Sequence, residues 1–129
     1  MSQHRRVLVF DDSTDSCEAI TELLHGWGFE VDLAEDGRQA REMVVAFEPD
    51  IVITALSLPG GDACDVIMDV RARRGDGVFI VAYSGRRCLE AAARAAGANA
   101  FVLKPDTDYL ERLVMVARPV QGSEAGVRS

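Results

Sequence analysis

The stretch PDIVITALSLPGGD, residues 49–62, decides how the chain folds. Ile51, Val52 and Ile53 are apolar and β-branched, as a strand covered on both faces requires. Pro49 stops any helix that precedes them, and Leu58-Pro59-Gly60-Gly61 supplies a sharp turn after them. In α/β chains a strand end of this kind carries reactive groups. Here the final strand positions are Thr54 and Ala55, and a methyl group does no chemistry.

Outward from this strand, apolar runs alternate with segments of helical period. Toward the amino terminus, Val7–Phe10 forms a first strand that ends in Asp11 and Asp12. Ser13 or Thr14 caps a helix whose Ile20, Leu23, Leu24 and Trp27 share one face, and Gly26 and Gly28 close it. Glu30–Leu33 is a second strand, followed by a helix with Ala40, Met43, Val44 and Phe47 on one side.

Toward the carboxyl terminus a helix is expected from Asp62 to Arg74, with Cys64, Ile67 and Val70 inward. Val78–Tyr83 is the fourth strand, and an alanine-rich helix spans Arg87–Ala96. Ala100–Leu103 is the fifth strand, and a last helix spans Thr107–Arg118. Five β-α units in alternation predict an α/β fold: a doubly wound, five-stranded parallel sheet with helices on both faces. Residues 1–118 then form one domain, and 119–129 a flexible tail or linker stub.

Composition narrows the function. The chain has 129 residues, 48% of them apolar and 27% charged, enough for one domain with a real core. A net charge of −7 argues against direct nucleic-acid binding, which needs a basic face. No apolar run approaches the roughly 18 residues of a spanning helix, and none near the amino terminus suits a signal peptide. Cys17, Cys64 and Cys88 are odd in number and far apart, so neither a disulfide framework nor a zinc site is indicated. A reducing, cytoplasmic location follows, with no membrane partner.

In open parallel sheets the site lies at the carboxyl ends of the strands. Those ends hold Asp11-Asp12, Ala55, Ser84 and Lys104-Pro105. Adjacent carboxylates invite a hard cation such as Mg²⁺, although capping of the following helix is an equally good account of the pair alone. A lysine and a small hydroxyl at neighbouring ends favour a phosphoryl site.

These residues resemble a known family. VLVFDD, PDIVITALSLPGGD, VAYSG and FVLKPD are similar, in order and separation, to the signatures of two-component response-regulator receiver domains, over roughly residues 5 to 118. The resemblance implies a flavodoxin-like sheet of order 2-1-3-4-5. It implies Mg²⁺ held by Asp11, Asp12 and the backbone carbonyl of Ser57, with Ser84, Phe101 and Lys104 sensing a phosphoryl group. It further implies that Lys104-Pro105 is a cis peptide, and that a histidine kinase or phosphotransfer protein is the partner. Core packing is the alternative for Phe101, whose three-residue spacing from Lys104 favours the sensing role.

One departure outweighs these matches. The family's phosphoacceptor aspartate falls on Ala55, and Ala63 stands where glycine is common. Nothing nearby replaces the carboxylate. Thr54 points to the opposite face, and Asp50 lies about 16 Å back along the strand. Ser57 has no evident base to activate it, and Asp62 suits a helix cap. Mg²⁺ binding should therefore be weak, and Lys104 should turn toward Asp11 or Asp12.

The chain is thus expected to be a non-enzymatic signalling module. With the other site residues present, an engineered Asp-to-Ala change or a recent loss is favoured over a natural phosphorylation-independent pseudo-receiver. Output is expected through protein contact on the face of Arg87–Ala96, Ala100–Leu103 and Thr107–Arg118, or through a domain outside this chain; a homodimer could use the same face. Two other classes fit less well. A phosphatase of the haloacid dehalogenase type needs a DxD arrangement, and a flavin binder needs a less acidic first loop than DDSTDS.

Overall fold

A computed structural model describes residues 5–11, 14–55 and 62–116. Its elements run β1 (Arg6–Phe10), α1 (Thr14–Gly26), β2 (Glu30–Ala34), α2 (Gly37–Phe47), β3 (Ile51–Ala55), α3 (Asp62–Arg74), β4 (Phe79–Ser84), a 3-10 turn (Arg87–Leu89), α4 (Glu90–Ala96), β5 (Ala100–Leu103) and α5 (Thr107–Val116). All strand pairs are parallel, in the order β2-β1-β3-β4-β5. This is the expected doubly wound sheet.

Strand alternation divides the core in two. Val7, Val9, Ile51, Ile53, Val81, Tyr83 and Val102 pack with Ile20 and Leu24 of α1 and with Leu110 and Val114 of α5. Leu8, Phe10, Val52, Ile80, Ala82 and Phe101 face the other way, onto α2, α3 and α4. β3 is buried along its whole length, which is why its sequence reads as one apolar run.

Local chemistry sets the helix ends. Asp36 caps α2 by accepting the Gln39 N–H at 2.8 Å, while the Gln39 side chain accepts the Glu35 N–H at 2.6 Å. Asp106 caps α5 through the Tyr109 N–H at 3.0 Å. At the amino edge of the sheet, side chains extend the ladders. Asp50 accepts the Arg6 N–H at 3.3 Å, and Asn99 accepts the Ile80 N–H at 2.8 Å.

Several expectations shift in detail. β1 and β2 each gain a residue, and β4 begins and ends one residue later than expected. The helix expected over Arg87–Ala96 starts as the 3-10 turn and becomes α-helical only at Glu90. Phe47, expected inward, is exposed and lies under the Arg6 guanidinium, 5.1 Å from its ring centre. Cys64 is only half-buried against the core. Ser13, Ala117 and Arg118 fall outside the described residues.

Candidate functional site

The carboxyl ends of β1, β3, β4 and β5 form one edge of the sheet. Ala55 ends β3, 3% exposed, between β1 on one side and β4 on the other. Its register partner on β4 is Tyr83, and Phe10 pairs with Thr54, so Asp11 follows β1 one step beyond its last pairing with β3. Parity puts Asp11, Ala55 and Tyr83 on the α1/α5 side of the sheet. Lys104, two residues after Val102, belongs to that side as well.

Distances agree. Lys104 Nζ lies 3.9 Å from Asp11 Oδ2, and the Asp11 side chain is only 2% exposed. The same ammonium stands over the Tyr83 ring, 5.3 Å from its centre. Burial, and next the nearby Asp106 carboxylate, push the Tyr83 phenol above its ordinary pKa. The Lys104 N–H donates to the Ser84 carbonyl at 2.8 Å, tying the end of β5 to the end of β4. The Lys104-Pro105 peptide is cis.

Ser84 and Phe101 lie on the other side of the sheet by alternation. Ser84 is fully buried, and its hydroxyl oxygen accepts the Arg86 N–H at 3.1 Å. Phe101, 6% exposed, belongs to the cluster that contains Leu89, Ala93 and Ala98. Thr54 is fully buried on this side as well, and its hydroxyl has no hydrogen-bond partner among the described residues. Asp50 lies at the far end of β3, bonded to Arg6.

The structure therefore brings Asp11, Lys104 and Ala55 to one place and puts Ser84 and Phe101 at the same edge. Asp12 and Ser57 lie outside the described residues, as do the side chains of Asp62 and Ala63. Sequence reasoning missed Tyr83. The signal was available, since β4 is one residue longer than β3 and pairs with it from the first residue, which places the penultimate residue of β4 beside the last residue of β3.

Of the three candidate metal ligands only Asp11 lies among the described residues. Among the described residues no three acidic, histidine or cysteine side chains cluster, and Asp11 faces an ammonium. No helix of the described residues is long and apolar enough to cross a membrane.

Comparison with known proteins agrees with this fold. The chain matches the response regulator receiver domain over residues 7–115. It is 32% identical over 104 residues to the DNA-binding response regulator MtrA of Mycolicibacterium smegmatis, covering 81% of this chain and 46% of that protein. It is also 32% identical over 102 residues to the transcriptional regulatory protein PdtaR of Mycobacterium tuberculosis, covering 78% of this chain and 50% of that protein. The chain thus spans about half the length of the curated relatives it matches. Among solved structures it resembles the response regulator TrrA of Thermotoga maritima in complex with Mg²⁺-BeF. The TM-score is 0.77 at 27% identity, over 86% of this chain and 96% of that one. The chain belongs to the response regulator receiver domains of two-component signalling.

Proposed function

We propose that this receiver domain signals through protein contact without forming an aspartyl phosphate. The observation that carries the reading is the placement of Ala55 at the end of β3, in register with Tyr83 and one pairing step from Asp11. Acyl-phosphate formation needs a carboxylate oxygen in line with the donor, and a methyl group offers neither a nucleophile nor a metal ligand.

Around this position Asp11, with Asp12 and the Ser57 carbonyl, would hold Mg²⁺ weakly, with millimolar-scale affinity at best, because one charged ligand is gone. Mg²⁺ when bound neutralises charge on a phosphoryl group. Lys104, Ser84 and Phe101 are assigned to phosphoryl sensing, with Pro105 fixing the approach of Lys104. The hydrogen bond from Arg86 to the Ser84 hydroxyl and the burial of Phe101 support an arrangement held without phosphate.

The partners on this reading are a histidine kinase or phosphotransfer protein, and a downstream protein or second copy on the face of α4, β5 and α5. Exposed Met115 and Val116 on α5 support that face. The charge of −7 favours protein partners for this domain over direct contact with nucleic acid, and a cytoplasmic setting suits it.

An engineered substitution or recent loss accounts for a site otherwise complete in sequence. A second reading, a natural phosphorylation-independent receiver, gains support from Tyr83, a large ring on the face where Ala55 leaves space. Incubation with Mg²⁺ and a small acyl-phosphate donor, followed by intact mass, tests the reading. The parent chain should gain no phosphoryl group and Ala55→Asp should gain one; phosphate on the parent would refute it.

A further inference from the structure

We propose that Lys104 acts as a built-in cation at this site, and that Tyr83 is the positioning residue that holds it against Asp11. The inference deepens the reading above and rests on it. Asp11 is a nearly fully buried carboxylate, and a buried charge requires a counter-charge close by. Lys104 supplies one at 3.9 Å. That separation is long for a hydrogen-bonded ion pair, so the carboxylate alone does not fix the ammonium.

The Tyr83 ring provides the second wall. Its face lies 5.3 Å from Lys104 Nζ, inside the range in which an aromatic quadrupole attracts a cation. Tyr83 is itself 4% exposed and packed among Val9, Ile53 and Val102, so the ring cannot swing away cheaply. Its partner in the ladder is Ala55, whose small side chain leaves the same face free for the lysine stem. Backbone geometry reinforces the aim, since the Lys104 N–H is pinned to the Ser84 carbonyl.

A divalent cation entering near Asp11 must therefore displace an ammonium already held there. On this account Mg²⁺ affinity is limited by the presence of Lys104 as well as by the missing carboxylate. Tyr83 sets how firmly Lys104 competes.

Calorimetric titration of the whole chain with MgCl₂, with no phosphodonor present, tests this. Lys104→Met should bind Mg²⁺ about tenfold more tightly than the parent, because the ammonium that competes for Asp11 is then gone. Tyr83→Leu should tighten binding about threefold, whereas Tyr83→Phe keeps the ring face and should match the parent. An unchanged affinity in Lys104→Met overturns the proposal, and equal behaviour of Tyr83→Leu and Tyr83→Phe overturns the role of Tyr83.

Should Tyr83→Leu fail to fold, the parent itself decides the matter by NMR. The Lys104 Hε protons should be shifted upfield by the Tyr83 ring current, and resonances at ordinary lysine positions would refute the clamp. Because no phosphodonor is used, failure here leaves the phosphate test of the parent chain as a separate result.

Discussion

Two cations stand at opposite ends of this sheet, and they are held in different ways. Arg71, at the end of α3, serves the amino ends of β4 and β5. It donates to the Gly97 carbonyl at 3.1 and 2.8 Å, to the Val78 carbonyl at 3.0 Å, to Asn99 Oδ1 at 2.6 Å, and also to the Gly75 carbonyl. Burial lowers its pKa from the ordinary value, opposed by the Asp76 carboxylate. Lys104, at the carboxyl ends, has a loose ion pair and an aromatic face. A planar fork saturated by directional acceptors fixes geometry, while a point charge against a carboxylate and a ring is held by less directional contacts. The arginine end of the sheet is thus the rigid one, and the lysine end, held by less directional contacts, is the one proposed to respond.

Breaking the rigid end should cost most. Arg71→Met removes donors from several carbonyl groups and from Asn99, and should lower stability by about 3 kcal/mol in urea unfolding. Gly97→Ala strikes the same clamp from the other side. Gly97 has φ +127°, and an added Cβ would come within 3.1 Å of Arg71 Cβ and Cγ. A loss of about 1–2 kcal/mol is expected in the same assay.

At the responsive end, removing the cation costs less. Lys104→Met leaves the buried Asp11 carboxylate without this counter-charge and should cost about 2 kcal/mol without divalent cation, less than Arg71→Met because the lysine side is partly solvated. Similar losses from Lys104→Met and Arg71→Met would erase the distinction between the two ends.

Alkaline pH gives the finest contrast. The folded-state pKa of Tyr83 is raised above its ordinary value of 10.0 by burial and then by Asp106. The unfolded chain therefore releases that proton first, so the stabilising contribution is complete below pH 10 and fades as pH climbs through the raised value. Thermal melts should fall over that range in the parent and fall less steeply in Tyr83→Phe.

The fold was legible because strand and helix periods alternate cleanly. The IVI run of β3 could only be a doubly covered strand, and Ala100–Leu103 was delimited correctly by its flanking polar residues. Boundaries slipped where tertiary hydrogen bonds decide them. Asp50 and Asn99 complete ladders with their side chains, extending pairing in a way no propensity encodes. The break at the start of α4 is a matter of turn geometry after Ser84, whose hydroxyl takes the Arg86 N–H.

Of the site, Asp11, Ala55 and Lys104 were legible from strand ends and family resemblance. Tyr83 was not singled out because an aromatic in a strand reads as core. Only the register with Ala55 and the reach of Lys104 reveal its second contact. Arg71 escaped notice for a related reason. An arginine near a helix end looks solvated until the α4–β5 loop folds back over it.

The proposal that the parent chain forms no phosphoryl site is most directly tested with amide spectra recorded at constant Mg²⁺, before and after adding a beryllium fluoride phosphoryl mimic. The account predicts that the amides of Ser84, Phe101 and Lys104 stay in place in the parent and move in Ala55→Asp. Movement of those amides in the parent would contradict it.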